Sequence, residues 1–275
     1  MTAAPSPLPA SLSTAACAVI NDPAPAGKVA RTRAYAAAWR DGAIGEVGSA
    51  MPSDRPARPA RPELRPPREM PRRRKSGLKG RLAFVHAIAH IEFNAIDLAW
   101  DLIARFTAER MPRAFFDDWV GVALDEAEHF DLLCRRMAEL GGGYGDLPAH
   151  DGLWEAATNT ADDLLARLAL VPMVLEARGL DTTPGAVARL TAHGDAETAR
   201  LLAHIGEEEI PHVAAGVRWF EFLAARRGVA AHETFHALIH ERFDGNVKPP
   251  FNAEARTRAG MAEAYYAPYA AEAAE

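Results

Sequence analysis

The sequence predicts an all-α protein: a four-helix bundle with a long connection between its second and third helices, preceded by a strap and followed by shorter helices. Three observations predict it. Ala, Leu, Glu and Arg dominate the 275 residues and strand-forming runs are scarce, a composition that favours helix. From about Gly80 onward, four long segments repeat apolar residues at helical spacing. Those segments end at Gly or Met-Pro signals that stop helices.

In chain order, residues 1–79 read as an extension rather than a core. Short helices are expected over 11–21 and 32–39. Seven prolines then fall between Pro52 and Pro71, interleaved with arginine, which reads as an extended strap. The basic run Arg72-Arg73-Arg74-Lys75 closes it. Residues 51–81 carry 11 Lys/Arg against 3 Asp/Glu in a chain of formal charge -6, so the strap is expected to lie on an acidic surface of the bundle. A polyanion such as RNA is the sharper alternative, which a basic run by itself supports weakly.

The bundle itself is expected over 80–228. Helix one spans about 80–108, before Met111-Pro112, and helix two about 113–140, up to Gly141-Gly142-Gly143. The connection of about 141–159 is long enough to cross a bundle. Helix three runs over about 160–178 and is expected to stop at Gly179; helix four runs over 195–227 and stops at Gly228. Residues 229–275 form a C-terminal extension with a helix near 231–243, a break at Lys248-Pro249-Pro250-Phe251 and an Ala-rich tail.

Several function classes are excluded at once. Cys17 and Cys134 are the only cysteines, too few and too far apart for a disulfide framework, a cysteine zinc site or an iron–sulfur cluster. The N-terminus lacks the charged and apolar regions of a signal peptide, and no apolar stretch is expected to reach the roughly 20 residues that span a bilayer. The expected location is cytoplasmic, without a membrane partner.

The chemistry lies on the apolar stripes. Glu92 shares a face of helix one with Val85, Ile88, Ala89, Ile96 and Ala99, while His86, His90, Asn94, Asp97 and Asp101 occupy the other side. Glu126 and His129 sit on helix two among Trp119, Val122, Phe130, Leu133 and Met137. Glu176 follows Leu165, Leu168, Ala169, Pro172 and Met173 on helix three. Glu209 and His212 align with Leu202, Ile205, Val213, Gly216 and Phe220 on helix four. A carboxylate on an apolar stripe is costly without a counter-charge. Divalent cations supply that charge, and glutamate oxygens and imidazole nitrogens are suitable ligands for them. The order Glu, Glu-x-x-His, Glu, Glu-x-x-His is one that di-iron and di-manganese carboxylate bundles use. The plain alternative is a set of solvated charges and two satisfied core histidines.

Those residues also carry a resemblance. The region 80–228 resembles the ferritin-like superfamily. More narrowly, His86-Ala-Ile-Ala-His90-Ile-Glu92, Asp125-Glu126-Ala-Glu128-His129-Phe130, Glu176-Ala-Arg178-Gly-Leu-Asp181 and Glu209-Ile-Pro-His212-Val look like an uncharacterised bacterial ferritin-like family. The likeness continues through Tyr144-Gly-Asp146 and Lys248-Pro-Pro-Phe251-Asn252. It implies the fold and a site for two Fe ions, with Mn or a mixed pair as alternatives, but no substrate.

Two function classes compete on that basis. One is a di-iron oxidoreductase that activates dioxygen, with an electron donor and a small-molecule or nucleoside substrate such as tRNA. The other is iron storage, ferroxidase activity or peroxide detoxification. Rubrerythrin-like peroxidases carry a cysteine-ligated iron domain that this chain lacks, and storage ferritins lack the second Glu-x-x-His. Leu133 stands where a radical-generating reductase would place tyrosine, and Leu180 where bacterial monooxygenases place threonine. The oxidoreductase reading is therefore preferred, and a homodimer is the oligomer considered.

Weaker signals have plainer explanations. His86 and His90 read as supporting or surface residues rather than ligands, His232, His236 and His240 as an exposed polar face, and Cys134 as a small buried hydrophobe. Glu208 is an alternative ligand if Pro211 distorts helix four. Pro211 is expected to bulge or kink that helix, Pro172 to do the same before Glu176, and Gly206 and Gly216 to leave room for an organic substrate.

Overall fold

The computed structural model of the chain describes residues 7–70 and 77–272, so the basic run Arg72–Lys75 lies outside the described residues. All regular structure among them is helical apart from one parallel bridge between Leu64 and Ala149. The chain divides into two compact units, Met1–Asp151 and Gly152–Glu275.

The first unit contains α1 (Leu12–Ile20), α2 (Pro25–Arg40), α3 (Gly77–Arg105) and α4 (Arg113–Glu139). Ser11 caps α1 by accepting from the Thr14 amide, and Pro25 opens α2, where its missing N–H costs no helical bond. The chain turns between α3 and α4 through Arg110 in the left-handed region (φ 49°) and extended Pro112. The two long helices pack as a hairpin, with α1 against α3 and α2 against α4.

That packing corrects the reading of the N-terminal segment as an extension. Leu12, Ala15, Ala16, Val19 and Trp39 are buried, and even Lys28 and Thr32 are inaccessible. These small and aromatic side chains complete the core that α3 and α4 cannot close alone. As a result α3 is buried on all sides from Glu92 to Ala104. Its length and composition would suit a membrane span (mean hydropathy 1.3), contrary to the sequence expectation, but 67% of that window is buried, and a core helix passes the same test.

The strap docks onto this unit. The Ala57 amide donates to Ile20 O (3.0 Å), the Arg65 amide to Ala149 O (2.8 Å), and Arg55 pairs with Asp151 (2.7 Å). Arg58 goes further: its Nη1 meets Asp97 Oδ2 at 2.6 Å, a carboxylate with no solvent exposure. The expected acidic contact is thus partly a buried one.

The second unit begins with α5 (Gly152–Thr158) and α6 (Leu164–Leu170), capped by Asp163. It continues without a break into a π-helical segment (Val171–Glu176) and α7 (Ala177–Ala192). Next come α8 (Ala196–Arg227), α9 (Ala231–Arg242), α10 (Ala253–Arg258) and α11 (Ala267–Glu272). Asp195 caps α8 through the Thr198 amide, and Gly228 ends it at φ 68°.

Two expectations fail in this unit, for physical reasons. Gly179 does not stop the third long helix, which runs on through Pro184 to Ala192. Pro184 cannot donate to Leu180 O, but the Asn252 side chain does so instead, at 3.1 Å. Pro211 does not interrupt α8, which stays α-helical throughout. The distortion expected at Pro172 is present, where the missing amide and the ring's bulk convert one turn to π geometry.

Candidate metal centre

In the first unit the α3–α4 hairpin sets Glu92 against Glu126 and His129. Their ligand atoms lie within 4.8 Å of one another. His129 Nδ1 is 3.4 Å from Glu92 Oε2 and 3.7 Å from Glu126 Oε2. All three side chains are buried, His129 completely. Burial disfavours an imidazolium here, but the Glu126 and Glu92 carboxylates outweigh it and hold the His129 pKa up at about 11. The cluster therefore contains a captured positive charge between two carboxylates. A divalent cation fits that arrangement, since it supplies the charge in place of the proton and takes the same oxygen and nitrogen donors.

In the second unit, Glu209 and His212 lie one turn apart on the buried face of α8, with His212 Nδ1 3.1 Å from Glu209 Oε2. Glu176 is the last residue of the π segment and is half-buried, the least enclosed of the six expected ligands. Glu208 instead faces His204, 3.4 Å away in a half-exposed pair, which weakens its case as an alternative ligand.

The back of α3 holds what the sequence reading undervalued. His86 and His90 are buried rather than on the surface. His90 Nδ1 meets the Tyr144 hydroxyl at 2.8 Å, and the Gly145 amide donates to His86 Nε2 at 3.0 Å. Burial, and secondarily Arg58, push the His90 pKa down to about 4. Next along the helix, Arg58 donates to Asn94, and Asp97 is held between Lys28 Nζ and Arg58 Nη1, each at 2.6 Å. The signal was present as a polar stripe at i+3 and i+4 spacing, from His86 to Asp101, opposite the face that carries Glu92. Its cationic partners come from Ala- and Pro-rich stretches where a lysine or arginine reads as solvated.

The expected room beside the glycines is met at one and not at the other. Gly206 lines a cavity of about 500 Å3, partly open to solvent, with Leu180, Thr183 and Asn252, none of them an expected ligand. A Cβ on Gly216 would meet the Pro172 ring at 2.5 Å, so that glycine permits close helix packing. Among the distal histidines, His232 and His240 are exposed as expected, whereas half-buried His236 bonds Tyr269 Oη and Ala264 O, both at 2.9 Å. Cys134 is half-buried, and burial pushes its thiol up to about 12.

Together these features define an all-helical protein with a buried glutamate–histidine cluster suited to a metal ion. The chain belongs to the family described as "Protein of unknown function (DUF455)", which matches residues 21–267. It is 40% identical over 210 residues to an uncharacterized protein of Haemophilus influenzae, spanning 74% of this chain and 73% of that relative. No solved structure matches.

Proposed function

We propose that the chain is a ferritin-like di-metal carboxylate protein in which Glu92, Glu126, His129, Glu176, Glu209 and His212 serve one pair of ions, taken here as iron, and that it is an oxidoreductase. The observation that carries this reading is the buried Glu92–Glu126–His129 cluster, together with the repeat of the same Glu and Glu-x-x-His signature in the second unit. Four carboxylates and two neutral imidazoles balance the charge of two divalent cations, which suits a resident pair. When bound, a reduced pair supplies the electrons that activate dioxygen toward an organic substrate.

The chain's own residues have narrower tasks. Glu126 and Glu209, each three residues before a histidine, place an oxygen and an imidazole on the same helix face. Burial of five of the six side chains keeps bulk water from the donors. Pro172 shifts the register of the helix ahead of Glu176, which sets the direction of that carboxylate.

The test is metal analysis of the purified chain and of Glu126→Ala and Glu209→Ala. The intact protein is expected to hold about two ions per chain, as a six-ligand site implies, and each variant at most one. Two full equivalents in the double variant, with unchanged optical spectra, would overturn the ligand assignment. Excess ferrous iron in air separates the enzyme from a store: a small assembly that keeps about two irons per chain supports the oxidoreductase. A large shell that accumulates mineral supports storage instead.

A further inference from the structure

The second unit contains a cavity of about 490 Å3, part of it open to solvent, against the π segment. Met173, Val174 and Leu175 line it, so one wall is the turn that Pro172 forces out of α geometry. Phe243, Phe251 and Tyr266 add aromatic surface. The loop that completes the cavity, Asn246–Phe251, is tied to the helix beyond the π segment. Arg178 donates to Lys248 O (2.8 Å) and Pro250 O (3.1 Å), and Asp181 accepts from the Asn252 amide (2.9 Å).

The charge of the lining is unbalanced. Arg178, Lys248 and Arg256 face a single carboxylate, Asp181. That carboxylate is held mainly by Arg256, whose Nε and Nη2 donate at 2.9 and 2.7 Å and whose guanidinium packs over the Phe251 and Tyr266 rings, with Arg178 Nη1 3.6 Å away, so the excess over it is two positive charges. Lys248 has no acidic partner among the described residues. An apolar, ring-lined chamber with surplus positive charge at its edge, in a chain of net charge -6, selects for an anion with a flat apolar body.

We infer that this cavity binds a small aromatic anion, its ring among Phe243, Phe251 and Tyr266 and its charged group toward Lys248 and Arg178. The inference goes beyond the metal reading. The cavity lies within one unit and needs no metal, so binding and metal content can succeed or fail separately.

The experiment is isothermal titration of the full-length protein with benzoate, benzyl alcohol and inorganic phosphate. Benzoate is expected to bind about tenfold more tightly than either other probe, the effect of one charge-assisted contact on an apolar anchor. Lys248→Gln should bring benzoate close to benzyl alcohol. Val247→Trp, which fills the cavity from a loop position, should abolish binding while the circular dichroism spectrum stays unchanged. Benzoate affinity no better than that of benzyl alcohol or phosphate, or insensitive to both variants, would overturn the assignment.

Discussion

The α3–α4 hairpin and the π segment with α8 against it carry the same short signature, a glutamate on one element and Glu-x-x-His on the other, yet they hold it by different means. In the first unit the helices are uninterrupted and the back of α3 is fixed by buried charge, with Asp97 between Lys28 and Arg58. In the second unit the backbone itself changes, passing through a π segment that ends at Glu176. Here the nearby ion pair, Asp181 with Arg256, fastens a distal loop to the helix. The first arrangement locks side chains in place by electrostatics that fail badly when one member is lost. The second redirects a side chain through chain geometry and uses charge to tie down a lining loop.

The largest effect that separates these modes is expected from Asp97→Ala. Burial pulls the Lys28 ammonium down and pushes the Asp97 carboxyl up, so the pair contributes little net stability by existing. Removing the carboxylate, however, leaves a fully buried ammonium with only the Val19 and Ile20 carbonyls, beside a second cation. The expected loss is about 5 kcal/mol, the upper end for a broken buried pair. A thermal melt reads it directly, and a change below about 1 kcal/mol would mean that the network behaves like a surface pair.

Asp181→Ala sharpens the comparison at smaller amplitude. It orphans one buried cation, Arg256, which keeps its two ring contacts and a 3.0 Å contact to Met261 Sδ. The expected loss is about 3 kcal/mol. Because the Asn252 amide loses its acceptor as well, limited proteolysis should cut first near residues 245–252. Cleavage that begins elsewhere would show that the loop is held by other contacts.

The same contrast explains what the sequence could show. The α3–α4 hairpin was legible, α4 to within a residue and α3 displaced by three residues at each end, because its apolar stripes are long and Met111-Pro112 and Gly141–Gly143 bound them. Glu92, Glu126 and His129 were found for the same reason: a charge on an apolar stripe is visible in one dimension. The charges behind them were not, since Lys28 and Arg58 reach Asp97 from about 70 and 40 residues away in the chain. Helix three was ended too early because Gly179 reads as a local stop signal, and the group that takes up Leu180 O where Pro184 cannot is the distant side chain of Asn252. Pro172 and Pro211 were both expected to distort their helices, yet only Pro172 does and Pro211, chemically identical, leaves α8 regular. The difference depends on what each ring packs against, which local sequence does not contain.

The smallest effect concerns two glycines inside helices that differ in what surrounds them. Gly179 lies inside α7 with nothing within 4 Å of an added Cβ, whereas a Cβ on Gly216 would meet Pro172 Cβ and Cγ at 2.5 and 2.6 Å. Alanine at either place reduces the freedom of the unfolded chain and raises helix propensity, a gain of about 0.5–1 kcal/mol. At Gly179 nothing opposes that gain, so Gly179→Ala is expected to raise the melting temperature slightly. At Gly216 the added methyl collides with a ring that cannot rotate away, and the overpacking cost of about 1–3 kcal/mol exceeds the gain. Gly216→Ala should therefore lower the melting temperature by an amount that the propensity gain only partly offsets. The two variants should move in opposite directions. If Gly216→Ala stabilised the protein as Gly179→Ala does, α8 would not need its close approach to Pro172, and the π segment would owe its shape to the proline alone.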